Sequence, residues 1–222
     1  MRLTAVLLFV SAALAVPAQK ACSPVELIWA RATTEAAGLG IVGAPLVKAT
    51  QRLIPGFTYY AVKYPADMSS SSPDKGVADM LNRINGQATA CPQQKFVLGG
   101  YSQGAVVCHR AAVKMSKDVL SRIIATATFG DGGQQATKAK PVYDSPVGPI
   151  PRWPDELDGR IKFNCNKGDL TCTPGGTSTL AHMQYTSGKF IPESAQFIAE
   201  QWKKLGGGGA GAAVTARHLA IS

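Results

Sequence analysis

Short, nearly unbroken apolar runs alternate along the chain with segments whose apolar residues recur at helical spacing, and this alternation constrains the fold most. Val25-Glu26-Leu27-Ile28-Trp29-Ala30, Phe57-Thr58-Tyr59-Tyr60-Ala61-Val62, Phe96-Val97-Leu98, Ile123 to Phe129 and Ile161-Lys162-Phe163 read as strands. Between them, about Gly40 to Leu53 carries Val42, Leu46, Ala49 and Leu53 at near-helical spacing. After a polar loop from Ser69 to Ser72, Pro73 opens a helical segment with Val77, Leu81 and Ile84, and Ala105 to Leu120 contains another helix. A last amphipathic helix is expected from about Glu193 to Leu205, with Phe197, Ile198 and Trp202 on one side. Strands that are apolar throughout bury both faces, so helices must cover both sides of a parallel sheet. The fold class is α/β.

The two ends of the chain stand outside this pattern. Arg2 precedes an apolar run from Ala5 to Val16, broken only by Ser11 and closing on Ala13-Leu14-Ala15. That is the layout of a secretory signal peptide over residues 1–15, with cleavage there or as late as residue 18. A bilayer span needs about 20 apolar residues. The run is shorter, and no later stretch is long enough, so a secreted, extracellular protein without stable membrane association is expected. One domain is expected over residues 22–205, large enough to bury its own core. Gly206 to Gly209 end it, and residues 206–222, including His218, are expected to form a disordered tail.

Lys and Arg outnumber Asp and Glu by 23 to 14. The basic residues are scattered and no aromatic residues interleave with them. The balance therefore favours anionic surfaces, such as acidic wall polysaccharide, rather than nucleic acid. No C-x-x-C or H-x-x-x-H spacing occurs, so no metal site is expected. No N-x-[ST] acceptor for N-glycosylation is present either.

Five cysteines, Cys22, Cys91, Cys108, Cys165 and Cys172, imply disulfides in an exported chain, with one thiol left over. Their number alone leaves many pairings open. Placement narrows them: Cys165 and Cys172 bracket a turn-like stretch that a local bridge would staple. Cys22 and Cys91 each precede a predicted strand, so both could lie at one end of a parallel sheet. Cys108 sits in a predicted helix beside Val106 and Val107, which suits a buried free thiol.

Gly100-Tyr101-Ser102-Gln103-Gly104 fits G-x-S-x-G, directly after the strand Phe96-Val97-Leu98 and directly before the helical Ala105-Val106-Val107. In that context the serine sits on a strained strand-to-helix elbow, and the flanking glycines relieve crowding. The helix that follows adds the positive end of its dipole where an oxyanion would form. A hydroxyl becomes a good nucleophile only when a base removes its proton. The order along the chain for this motif is Ser, acid, His. His109 lies within the same helix as Ser102 and His218 in the tail, which leaves His182, expected on a loop with Gly175, Gly176 and Ser178. For the acid, Asp169 and Asp131 both follow strands; the stapled turn makes Asp169 the better placed. One oxyanion donor is the backbone N–H of Gln103, and the second comes from the loop Arg31-Ala32-Thr33-Thr34-Glu35.

Ala30-Arg31-Ala32-Thr33-Thr34-Glu35, Gly99-Gly100-Tyr101-Ser102-Gln103-Gly104, Cys165-Asn166-Lys167-Gly168-Asp169-Leu170-Thr171-Cys172 and His182, in this order, resemble the cutinase family over nearly all of Cys22 to Leu205. The resemblance implies a small lidless α/β-hydrolase, a three-layer sandwich around a five-stranded parallel sheet. It implies a catalytic triad of Ser102, Asp169 and His182, an oxyanion hole from Thr33 and Gln103, and the disulfides Cys22–Cys91 and Cys165–Cys172 with Cys108 free. The family usually carries Gly where this chain has Ala32, and Thr173 to Ala181 is more polar than in typical fungal cutinases. Lys63-Tyr64-Pro65-Ala66 looks like a segment of the acetylxylan esterases of the same family.

The function these features imply is hydrolysis of carboxylic esters through an acyl-enzyme, on cutin polyester or short acyl esters, with no metal or organic cofactor. The alternative is deacetylation of acetylated xylan, an acylated polysaccharide. A different class is a secreted effector that keeps the fold without catalysis, against which the intact Ser, Asp and His argue. A monomer is expected, with the ester as its partner.

Overall fold

β1 (Val25–Ala30) is buried along its whole length, as an apolar strand inside a parallel sheet must be. Its one acidic residue, Glu26, is held there by the guanidinium of Arg83. The computed structural model describes residues 22–205; the expected leader (1–15) and tail (206–222, with His218) lie outside the described residues. After β1 come α1 (Gly40–Gln51), β2 (Thr58–Ala61), α2 (Ser72–Ala90), β3 (Lys95–Tyr101), α3 (Gln103–Ala112) and α4 (Lys117–Arg122). There follow β4 (Ile123–Phe129), β5 (Val142–Ser145), β6 (Gly148–Pro151), β7 (Ile161–Asn164), α5 (Thr179–Met183) and α6 (Phe190–Lys204).

The five strands read from the apolar runs form one sheet, in the order β2-β1-β3-β4-β7, every pair parallel. Alternate side chains feed two cores. Leu27, Trp29, Val97, Ala125 and Phe129 pack against Val42 and Leu46 of α1 and Ala195 and Ile198 of α6. Ile28, Phe96, Leu98 and Ile123 pack against Val77 and Ile84 of α2, Val107 and Ala111 of α3, and Val119 of α4. The order reverses between β1 and β3. Ligands of open α/β sheets bind outside the carboxyl ends of the strands at such a switch point. The loop after β1 and the serine after β3 both lie there.

Three details differ from the sequence expectation. The helix placed within Ala105 to Leu120 is two helices, because the Ser116 hydroxyl caps a new start by accepting the Val119 N–H at 3.3 Å. A two-stranded antiparallel hairpin, β5–β6, occupies a stretch where no strand is expected. Its prolines and short strands hide the period, and α3 holds it in place: Arg110 donates to the carbonyls of Pro149 and Val147 at 3.0 and 2.8 Å. His182 lies not on a loop but in the five-residue helix α5, started by the Ser178 hydroxyl accepting the Ala181 N–H at 3.0 Å.

Cys22 pairs with Cys91 and Cys165 with Cys172, while Cys108 is free and buried. The bridges close sequence separations of 69 and 7 residues. In the chain-entropy model the long loop contributes about 4.4 kcal/mol and the short one about 2.5 kcal/mol.

The first turn of α3 passes directly over the end of β1. A Cβ on Gly104 would lie 1.9 Å from the Ala30 carbonyl oxygen, and one on Gly100 would lie 2.4 Å from the Gly104 carbonyl. Both walls are backbone, so neither can yield. Gly104→Ala should therefore lower stability by about 3 kcal/mol or more, read as a fall of about 6–12 °C in Tm. Gly86, exposed within α2 with open space around its missing Cβ, should behave oppositely. Gly86→Ala should gain about 0.5–1 kcal/mol from helix propensity, checked by the same melts.

Candidate active site

Ser102 is the hinge between β3 and α3. Its φ of 53° and ψ of −116° lie in a region that L-residues rarely adopt. Such strain costs about 1–3 kcal/mol and persists only where the surroundings enforce it. Here the two backbone crossings at Gly100 and Gly104 do so, and the Ser102 N–H donates to the Phe129 carbonyl of β4 at 2.9 Å. The result is a half-buried hydroxyl at the carboxyl edge of the sheet. Next to it, the N–H of Gln103 is the first of α3 and has no partner within the helix.

The Gln103 side chain is clamped. Its amide nitrogen donates to the Asp67 carbonyl at 2.8 Å, and its amide oxygen accepts from the Ser72 hydroxyl at 3.1 Å. The loop after β1 is fixed by charge. The Glu35 carboxylate accepts the N–H of Ala32 at 2.6 Å and that of Ile41, at the start of α1, at 2.7 Å. The buried Arg31 guanidinium donates to the carbonyls of Glu35, Tyr64 and Pro65 at 2.7, 2.8 and 3.0 Å. The Tyr64 hydroxyl returns a bond to the Arg31 carbonyl, and Thr34, at φ 66°, donates its N–H to the Ala66 carbonyl at 2.6 Å. Among the described residues, the N–H and hydroxyl of Thr33 make no hydrogen bond. Ala32 is buried and its N–H is taken by Glu35, so the methyl group there leaves the clamp in place.

Asp169 sits in the Cys165–Cys172 turn, where its Oδ1 accepts the N–H groups of Thr171 and Cys172 at 2.6 and 3.3 Å. The Nδ1 of His182 lies 3.0 and 2.9 Å from the two carboxylate oxygens. Burial alone would raise the Asp169 pKa. Hydrogen bonds from His182, Tyr185 and Thr171, with the His182 charge, outweigh it and hold the carboxyl below its ordinary range. The ring of His182 lies against Gly130, whose φ is 55°: a Cβ there would meet the ring at 2.5 Å. Gly130 directly follows Phe129, the residue whose carbonyl anchors Ser102, so imidazole and serine converge on the end of β4. Among the described residues, no hydrogen bond engages the Nε2 of His182. Such bonds are often long before substrate binds.

The other acid and histidine are joined elsewhere. His109 and Asp131 form a fully buried pair, Nε2 to Oδ2 at 2.9 Å, with side chains 0 and 1 % exposed. The Nδ1 of His109 lies 2.7 Å from the Pro151 carbonyl of β6. Asp131 also accepts from the Thr128 hydroxyl at 2.7 Å and the Gly133 N–H at 2.8 Å. Both faces of this imidazole are occupied, so it braces the hairpin against α3 and has no edge free for proton transfer.

Four residues of the neighbourhood escaped sequence reasoning: Arg31 and Glu35 as clamps, Tyr101, and Tyr185. The Tyr101 hydroxyl donates to the His182 carbonyl at 2.6 Å, and the Tyr185 hydroxyl donates to Asp169 Oδ2 at 2.5 Å. Spacing held a signal for the last, since Tyr185 lies three residues after His182.

A serine on a strained elbow beneath a helix, at the switch point of a five-stranded parallel sheet, with a later histidine–carboxylate pair beside it, defines an α/β-hydrolase. The chain belongs to the cutinase family, whose sequence model matches residues 21–202, and it is a carboxylic-ester hydrolase. It is similar to cutinase CUT1 of Coprinopsis cinerea, 34% identical over 80% of this chain and 83% of that one. It is similar also to a cutinase of Kineococcus radiotolerans, 32% identical over 80% of this chain; it spans 61% of that longer protein. Among solved structures, Trichoderma reesei cutinase in complex with a phosphonate inhibitor superposes with a TM-score of 0.63 and 28% identity, over 81% of this chain and 77% of that one. The catalytic core domain of T. reesei acetyl xylan esterase gives 0.68 and 25%, over 82% and 100%.

The buried pair makes a stability prediction. Burial raises the Asp131 pKa, but the His109 charge and the hydrogen bonds from His109, Thr128 and Gly133 bring it below the ordinary carboxylate value. A depressed folded-state value means stability that is present above about pH 4, the unfolded carboxyl range, and is lost as pH falls through the folded value. Asp131→Asn should remove about 3 kcal/mol at pH 7, because it leaves a buried imidazole without its carboxylate. It should also flatten the part of the acid-side loss below pH 4 that Asp131 supplies. Denaturant melts across pH 2–7 check both.

Proposed function

We propose that this protein is a secreted serine esterase acting through an acyl-enzyme, with Ser102 as nucleophile, His182 as general base and Asp169 as the carboxylate that orients the imidazole. The observation that carries this reading is the convergence on β4. One strand end holds the Ser102 N–H through the Phe129 carbonyl and, at the next residue, seats the His182 ring. With Nδ1 turned to Asp169, the Nε2 edge is the one left to take the serine proton as the hydroxyl attacks the ester carbonyl. The tetrahedral oxyanion is received by the N–H groups of Gln103 and Thr33, with the Thr33 hydroxyl as an added donor. His182 then gives its proton to the leaving alcohol. Water, activated by the same imidazole, cleaves the acyl-enzyme.

Export is supported by the leader-like N-terminus and by two disulfides. The substrate we favour is cutin polyester and short acyl esters. Leu180 and Met183 flank His182 and are 65 and 59 % exposed; Met68, next to the Asp67 clamped by Gln103, is 83 % exposed. These offer more apolar contact near the site than Thr173 to Ala181 alone, where the sequence supplies only Pro174 and Leu180. The acetylxylan esterase reading leans on Lys63-Tyr64-Pro65-Ala66. That segment gives three of its carbonyls and the Tyr64 hydroxyl to the oxyanion loop, a structural use that is neutral as to substrate.

Ser102→Ala should abolish labelling by a phosphonate probe and reduce hydrolysis of a soluble butyrate ester to background. A variant that kept full activity would refute the assignment. Asp169→Asn should lower kcat by about 10³- to 10⁴-fold while the protein stays folded. Asp131→Asn should keep most of its kcat at a temperature where it is folded. Rates on acetyl, butyryl and longer esters and on acetylated xylan decide the substrate: a strict acetyl preference would favour the xylan reading.

A further inference from the structure

Tyr185 is completely buried, yet its phenol is one of the most engaged polar groups near the site. The hydroxyl donates to Asp169 Oδ2 at 2.5 Å and accepts the Asn166 N–H at 3.1 Å. Its ring cannot swing away. Tyr101, Phe129, His182 and Phe190 surround it edge-on, with centroids 5.7, 5.8, 6.3 and 5.3 Å away. The Asp169 carboxylate thus has three kinds of partner: backbone N–H groups on Oδ1, a phenol on Oδ2, and the imidazole Nδ1 across both.

We propose that Tyr185 is a positioning residue for ester hydrolysis, whose hydroxyl sets how strongly Asp169 draws on the His182 proton. The inference rests on the Ser102–His182–Asp169 reading and deepens it. A buried carboxylate facing only an imidazole would bind the imidazolium tightly and keep the base protonated. A phenol donor takes up part of the negative charge, so the carboxylate still orients the ring while pulling less on its proton. The phenol stays a donor throughout, since burial first and the Asp169 hydrogen bond second push its pKa far up. No proton leaves Tyr185.

The other ionisable groups around the pair are accounted for. From β3 comes Tyr101, whose own pKa is pushed up to about 12 by burial, with Glu35 and Asp169 adding to it. Its hydroxyl is committed to the His182 carbonyl rather than to the carboxylate. Glu35, from the loop after β1, is engaged by the Ala32 and Ile41 N–H groups. Asp131, one residue beyond Gly130, is paired with His109. Cys165 and Cys172 are bridged and do not titrate. From α6 the neighbour is Phe190, which carries no charge.

The test compares pH profiles of kcat/KM on a soluble butyrate ester for the full chain and three variants. Tyr185→Phe keeps the ring and removes only the donor. Asp169 becomes more basic, His182 holds its proton to higher pH, and the acidic limb should move up by about half a unit to one unit. Replacing Tyr185 with 3-fluorotyrosine keeps the bond with a stronger donor, so the limb should move down; this variant also serves if Tyr185→Phe does not fold. Tyr101→Phe loses a bond to a backbone carbonyl and should leave the limb in place, whatever it does to the rate. A merely structural Tyr185 would lower Tm and leave the limb unmoved in both Tyr185 variants, which would overturn the proposal. Phosphonate labelling at Ser102 is measured first. An unlabelled wild-type protein sinks the triad and this inference together, whereas a labelled protein with unmoved limbs sinks this inference alone.

Discussion

Where α3 begins, its backbone runs so close to the carbonyl groups closing β1 that no side chain fits between them, and the geometry of the whole site descends from that crossing. Gly104 is in contact with Ala30 and Gly100 with Gly104, so the chain must turn sharply at Ser102 and adopt a positive φ. The turn aims the Ser102 N–H at the Phe129 carbonyl, which fixes β3 against β4 at the edge of the sheet. The residue after Phe129 must then be small enough to seat the His182 ring, and it is Gly130. A steric constraint at one helix start is thereby passed, through a single strand end, to the position of an imidazole eighty residues further along the chain.

Among the described residues two histidine–aspartate pairs lie at nearly the same separation, and their surroundings differ. His109 is bonded at both ring nitrogens and shielded from solvent, with the Trp153 ring tilted against it at 4.2 Å. Such a pair can only hold things together: here α3, the start of the loop after β4, and β6. His182 is bonded through Nδ1 alone and its side chain is 13 % exposed. Distance to the carboxylate does not distinguish the two pairs. A free ring edge does.

Hydrogen bonds from charged side chains play a similar part around the loop after β1. Among the described residues the Thr33 N–H makes no hydrogen bond, and the loop is held through the neighbours of that residue. Glu35 takes Ala32 and Ile41, Arg31 takes three carbonyls, and Thr34 reaches Ala66. These clamps lie in the sequence motif itself, yet nothing in their spacing said that they would face inward to one another.

Much was legible in the chain because it is local. Five apolar runs determined five strands, their lack of polar alternation determined a parallel sheet with helices on both faces, and G-x-S-x-G after a strand determined the elbow. The short hairpin and the five-residue α5 escaped, since so few residues, several of them proline or glycine, carry no measurable period. Which aspartate pairs with which histidine, the edge of His182 left free, and the phenol of Tyr185 on the carboxylate were decided only by tertiary structure. A hydrogen bond depends on tenths of an ångström between residues that are far apart in the chain. Hydrophobic period specifies which face of an element is buried, and only the packed sheet brings those distant polar atoms to one place.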